Sequence, residues 1–339
     1  MNRILALILV VTTLLSLSSC SKNAAEGSGN AVSETIYPIT VTDQAGREVV
    51  IEKEPERIIS SYYISSSVLI ALGLEDKMVG IEAKPDSRPI YALSAPALLD
   101  LPQVGSGKAL DLEACATVSP DLAVLPMKLK DSAEDLTALG VDVLLVNPES
   151  QEQLTDMISL LAQVTDTAAH GMELIDYIAE KETALLDLLT GTDKPEVYLA
   201  GNSSFLSTAG DAMYQSDMIR LAGGVNAAAA IEDTYWAEID YEQLLAWDPD
   251  YIILPSNAKY TVEEILADPV LAESKAIVNE NVYMIPGDAE ALDSPVPGSF
   301  LGAYWLAHIL HPDVLSEEDC IRVMDEYYET FYDFQYSEN

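Results

Sequence analysis

Positive charge is scarce in this chain: 17 Lys and Arg stand against 56 Asp and Glu, for a net charge of −39. Nucleic acid is bound by basic faces, so this balance excludes it as a partner. Histidine is scarcer still, with three in 339 residues. His308 and His311 lie three apart at the end of an apparent helix, a spacing open to a ligand pair. His311-Pro312, however, reads as a helix stop. Direct metal capture is therefore not expected, and no cofactor is called for. Cysteine is limited to Cys20, Cys115 and Cys320, without CxxC or Cys/His spacing. The last two read as separate buried thiols, with a disulfide between them open but not indicated. No GxSxG, HExxH or phosphate-cradling glycine loop occurs. Carboxylate pairs are inevitable among 56 acids, so nothing points to catalysis. No apolar run reaches the roughly 20 residues that a membrane-crossing helix needs.

What is present begins with a leader. Arg3 is the only charge before a largely apolar run from Ile4 to Leu17, the length of a signal-peptide h-region. The run ends in Leu17-Ser18-Ser19-Cys20, which resembles the lipobox of bacterial lipoproteins, where the cysteine is acylated and becomes the new N-terminus. Residues 1–20 are thus expected to be a lipoprotein signal peptide. Residues 21–35, rich in Ser, Gly and Asn, read as a flexible tether. The expected location is extracytoplasmic, with a lipid on Cys20 holding the protein to the membrane.

The strongest internal signal is a repeat. Residues 111–126 read DLEACATVSPDLAVLP and residues 240–255 read DYEQLLAWDPDYIILP. They align without gaps and share six of 16 positions. Each predicts a short helix carrying a Glu, a Pro-Asp that breaks it, a brief apolar strand and a terminal Pro. Two copies in corresponding places predict two similar halves. Strands are expected at 57–60, 78–81, 122–125 and 141–146, then at 196–200, 251–254 and 282–285. Helices between them end at Leu72-Gly73 and Ala222-Gly223-Gly224. From Thr167 to Leu189 apolar residues recur at spacings of three and four. At 1.5 Å per residue, about 23 residues make a helix of roughly 35 Å, long enough for a spine between halves. The expected organisation is an N-terminal lobe at 36–165, a connecting helix at 166–190 and a C-terminal lobe at 191–339.

PERIISSYYISSSVLIALGLEDKMVGI, DLEACATVSPDLAVLP, LGVDVLLVNPES, MIRLAGGVN, YEQLLAWDPDYIILP, NENVYMIPGD and LAHILHPD, in this order, resemble the class III periplasmic-binding proteins. That family serves ABC importers of iron–siderophore complexes, haem and cobalamin. The resemblance covers about Tyr37 to Phe334. It implies an α/β fold of two parallel-sheet lobes joined by a single long α-helix, with the ligand cleft between the lobes. It implies a monomeric binding protein, not an enzyme, whose partners are a permease and a small molecule, either a metal chelate or a corrinoid. An oxyanion such as molybdate or tungstate, or a non-transport surface role, is the alternative. In this family a carboxylate on each lobe contacts basic residues of the permease, and Glu113 and Glu242 match those positions. Both also fall in the first turn of a helix, where the dipole favours negative charge.

Ligands of open α/β sheets sit beyond the carboxyl ends of the strands. That rule points to Tyr62, Tyr63, Lys84, Arg88, Lys128 and Lys130 in the first half. In the second it points to Asn202, Phe205, Tyr235, Trp236, Lys259, Tyr260 and Asp293. Five of the few basic residues fall in these loops, where an acidic protein would place cations for an anionic ligand. The tyrosines and Trp236 offer flat apolar faces with polar tips.

Overall fold

The computed structural model describes residues 35–232 and 236–338. Cys20, the leader, all but the last residue of the tether, and Tyr235 lie outside the described residues.

A hairpin opens the described chain: β1 (Ile39–Thr42) pairs antiparallel with β2 (Glu48–Ile51). The first half then alternates strand and helix. Its main elements are β3 (Ile58–Ser60), α1 (Tyr63–Ala71), β4 (Met78–Gly80) and α2 (Pro89–Ser94), followed by the small hairpin β5 (Gly105–Ser106) and β6 (Ala109–Leu110). Next come α3 (Leu112–Val118), β7 (Leu122–Pro126), α4 (Lys130–Ala138), β8 (Asp142–Val146) and α5 (Gln151–Val164). The long helix α6 (Ala168–Leu188) leads into the second half. There β9 (Glu196–Leu199), β10 (Ser207–Thr208), α7 (Tyr214–Leu221), β11 (Val225–Asn226) and β12 (Ala237–Glu238) precede α8 (Tyr241–Trp247) and β13 (Tyr251–Leu254). The chain ends with α9 (Val262–Leu266), α10 (Lys275–Val278), β14 (Val282–Met284), α11 (Phe300–Leu310) and α12 (Glu317–Tyr332).

Two four-stranded sheets result, in the orders β4-β3-β7-β8 and β11-β9-β13-β14, and every pairing within them is parallel. The order is the same in both halves: second strand, first, third, fourth. The two copies of the repeat therefore occupy equivalent places in two separate sheets. Residues at equivalent positions have matching local jobs. Asp111 and Asp240 are N-caps, accepting from the backbone N–H of Ala114 and Gln243. Ser119 and Asp248 end the helices in the left-handed region, at φ 47° and 45°. Asp121 accepts from the N–H groups of Glu56 and Arg57, and Asp250 from that of Glu196, each pinning the entry to the first strand of its sheet.

Side-chain alternation splits each sheet between two cores. Ile58, Leu122, Val124, Leu144, Val197, Leu199 and Ile253 enter one large core that also takes Leu174, Ile178 and Leu185 of α6. The opposite faces bury Ile59, Ala123 and Leu125 in one smaller core, and Tyr198, Ile252 and Leu254 in another. Gly171 lets α6 lie close on α5, since a Cβ there would sit 2.4 Å from that of Ala162. Glycine is a poor helix former, but here it is a packing site. Gly73 and Gly223 stop their helices at φ +71° and +79°. Cys115 and Cys320 are buried free thiols, and His311 caps α11 as its C-terminal residue.

Candidate functional site

In the first half the carboxyl ends of β3, β7 and β8 open on a cavity of about 480 Å³. Tyr62 and Tyr63 enter from the residues after β3, Met127, Lys128 and Lys130 from those after β7, and Asn147 and Glu149 from those after β8. The β5–β6 turn adds Gly107 and Lys108. Three ammonium groups thus face two carboxylates, Asp131 and Glu149, in a molecule of strongly negative charge. Glu149 is held above the usual carboxylate range by burial, against the pull of Lys128. Burial also raises the Tyr62 and Tyr63 phenols, the latter to about 12. Both tyrosines are therefore neutral aromatic faces with a hydroxyl tip.

A second, smaller cavity of about 130 Å³ lies between the halves. Tyr63, Ser67, Arg88 and Tyr91 line it from the first half, and Asn257, Gly287 and Glu290 from the ends of β13 and β14. The two halves meet directly here: the Ile90 N–H donates to the Ala289 carbonyl at 3.0 Å, and the Ser67 hydroxyl donates to Glu290. The Arg88 guanidinium stacks 3.8 Å from the Tyr63 ring centroid. Glu82, Glu290 and Asp293 surround it, all under 7% exposed. Burial lifts Glu290 to about 7 and Asp293 to about 6, and raises Glu82. Gly298 is dictated by this arrangement, because a Cβ there would fall 2.4 Å from the Glu290 carboxylate.

Of the residues singled out in the sequence, Tyr62, Tyr63, Lys128 and Lys130 come together in the larger cavity and Tyr63 and Arg88 in the smaller. Asp293 is buried beside the smaller one, where its carbonyl accepts from Gln215. Lys84 is exposed in the left-handed region at φ 62° and lines neither. Neither do Asn202, Phe205, Trp236, Lys259 and Tyr260. Phe205 packs edge-on against Tyr198 and Tyr260, and the Tyr260 hydroxyl donates to the Gly201 carbonyl at 2.6 Å. The Lys259 N–H donates to the Asn202 carbonyl, and both residues are exposed. Trp236 covers Gly201. Sequence reasoning missed Lys108, Glu149, Ser67, Tyr91 and Glu290. Lys108 sits on a hairpin too short to leave a periodic signal. Ser67 and Glu290 meet across 223 residues of chain.

Glu113 and Glu242 stand apart from both cavities. Each is exposed, in the first turn of its helix, and neither carboxylate has a hydrogen-bond or ion-pair partner among the described residues. Among the described residues, no group of His, Cys, Asp and Glu has the geometry to hold a metal ion, and no helix is long and apolar enough to cross a membrane.

The molybdate-binding protein MolA of Haemophilus influenzae is 25% identical over 323 residues, covering 87% of this chain and 91% of that one. Its structure with molybdate superposes with a TM-score of 0.78, at 23% identity over 88% of this chain and 99% of that one. The uncharacterized ABC transporter substrate-binding lipoprotein YvrC of Bacillus subtilis is 22% identical over 320 residues, 89% of this chain and 95% of that protein. The structure of Helicobacter pylori CeuE with a nickel–histidine complex gives a TM-score of 0.73 at 22% identity, covering 88% and 97% of the two chains. Residues 58–289, most of the chain and both sheets, match the periplasmic binding protein family. The chain belongs to that family of solute-binding proteins, which are not enzymes.

Proposed function

We propose that this chain is the extracytoplasmic binding component of an ABC importer, anchored by a lipid on Cys20, and that it captures a compact anionic ligand at the cleft between its two halves. The observation carrying this reading is the larger cavity, lined by the first half alone and joined through Tyr63 to the small cavity where the halves meet. The larger one gathers Lys108, Lys128 and Lys130, with Tyr62 and Tyr63 beside them, at the strand ends where open α/β sheets receive ligands. Its volume of about 480 Å³ lies within the roughly 300–1,000 Å³ of sites for drug-sized molecules. The lysines favour negative charge, and the aromatic faces favour a ligand with a flat or apolar body, as in an iron chelate. A corrinoid with its side chains would have to stand partly outside. A second reading, a bare oxyanion, is favoured by the likeness to the molybdate-binding protein and by the small cavity at Arg88.

In this reading residues 36–165 and 191–339 act as lobes about the 166–190 connector. The long helix restricts closure to a small movement. Glu113 and Glu242 then meet basic residues of the permease, a pairing that sets orientation and encounter rate. Calorimetry against ferric siderophores, haem, corrinoids, molybdate and tungstate tests the ligand class. Tight binding of an uncharged ligand alone, with none of the anions bound, would refute it.

A further inference from the structure

The turn between β1 and β2 lies against the edge of the first sheet, where β8 is the outermost strand. Edge strands leave backbone groups unpaired, and this turn takes some of them up. The buried Asp43 carboxylate accepts from the Leu145 N–H at 3.0 Å and from the N–H groups of Ala45 and Arg47. The Arg47 guanidinium pairs with it at 2.6 Å and donates to the Val143 carbonyl at 2.8 Å. The Gln44 N–H donates to the Leu145 carbonyl at 3.1 Å. A buried charge with this many partners makes a rigid mount. The Gln44 side chain extends from that mount to the residues just after β8. Its Oε1 accepts from the Asn147 N–H and its Nε2 donates to the Gln153 carbonyl, both at 2.7 Å.

Those two bonds bracket a segment that faces two ways. Asn147 and Glu149 wall the larger cavity. The Glu149 carbonyl accepts from the Tyr214 N–H at 2.9 Å. That N–H is the first of α7 in the second half, a group that the helix itself cannot satisfy. Pro148 has no N–H, so the segment offers two, and glutamine side chains accept from both: Gln44 from Asn147, and Gln153 from Glu149 at 2.9 Å. We infer that Gln44 is a positioning residue for solute binding: it fixes residues 147–149 both as a wall of the larger cavity and as the seat of α7. The hairpin at the start of the described chain is thereby coupled to the contact between the two halves. Gln44 lines neither cavity, so its effect passes through Asn147 and Gln153. Without its amide, the Asn147 N–H and the Gln153 carbonyl lose their partner, and the wall relaxes together with the α7 contact it carries. The link to α7 stands without any ligand, whereas the effect on capture rests on the larger cavity being the ligand site.

Amide hydrogen exchange on the full chain without ligand tests the link. Gln44→Met keeps the length of the side chain and removes both of its hydrogen bonds. Exchange at Asn147 and Tyr214 should then rise about tenfold relative to the amides of the central strands β3 and β7. A contact that merely adds stability would speed all of these amides together, through global opening. Gln44→Glu keeps the acceptor for Asn147 and loses the donor to Gln153. It should fall between the parent and Gln44→Met, and it carries the test should Gln44→Met fail to fold. Gln153→Met frees the Glu149 N–H, and joined to Gln44→Met it should raise Tyr214 exchange by less than the product of the two single effects, because both act on one segment. Calorimetric titration with molybdate and with ferric salicylate reads the effect on capture: whichever binds the parent should bind Gln44→Met about three- to tenfold more weakly. Tyr214 exchange that stays at the parent rate, or rises only in step with β3 and β7, would overturn the inference, as would unchanged affinity. Binding of neither probe to the parent bears on the ligand reading alone, and Tyr214 exchange then decides the inference.

Discussion

Lys128 and Lys130 show how a single loop can carry charge logic. In a chain of net charge −39, two ammonium groups within three residues face a cavity already holding Lys108. Lys128→Glu with Lys130→Glu should lower affinity for an anionic ligand by about one to two orders of magnitude, as expected for charge-assisted contacts. Calorimetry on a variant with an unchanged melting curve checks it. Glu290 predicts a pH effect on stability. Its carboxyl rises from an ordinary 4.5 to about 7 because it is buried. Between those values the folded chain holds a proton that the unfolded chain has released. Stability therefore falls as pH rises through this window, by about 3 kcal/mol from this group once the pH exceeds 7. Urea midpoints from pH 5 to 8 should decline less steeply for Glu290→Gln than for the parent. Equal slopes would mean that Glu290 is not the titrating group. The strand-end rule reached Tyr62, Tyr63, Arg88, Lys128 and Lys130, because such loops can be located once strands are. It was silent on Ser67 and Glu290, because a hydrogen bond joining residues 67 and 290 has no local pattern.

At the scale of elements, the repeat was readable because most of its shared residues have a local task. The caps Asp111 and Asp240, the breaks at Pro120 and Pro249, and the strand-entry clamps Asp121 and Asp250 act within or just beside their own unit. The Glu113 and Glu242 carboxylates, by contrast, have no hydrogen-bond or ion-pair partner among the described residues. Seven of the eight parallel strands were visible as buried apolar runs. The hairpin β1–β2 and the two-residue strands β10, β11 and β12 were not, since tertiary pairing and not periodicity defines them. Gly171 makes the point for helices. Its sequence neighbourhood says weak helix, whereas its contact with Ala162 says close packing. Gly171→Ala, favourable by helix propensity alone, should instead destabilise by about 1–3 kcal/mol through overpacking between α5 and α6. A lowered melting temperature is the expected result, and a raised one would show that the two helices separate freely.

The whole molecule is two copies of one sheet topology sharing a continuous core, with exposed glutamates at matched positions. Charge reversal at both, Glu113→Lys with Glu242→Lys, should leave ligand affinity within a factor of about two and abolish uptake in cells, because rim charges act on docking and not on a distant cavity. Retained uptake would remove the docking role. The central claim is that ligand is held jointly by strand-end loops of both halves. Hydrogen exchange tests it most directly, on the full chain with and without whichever chelate or oxyanion raises the melting temperature most. Slowed exchange is predicted together at residues 62–63, 106–108 and 127–130 of the first half and at 287–291 of the second. Protection confined to one half, or lying outside these loops, would contradict it.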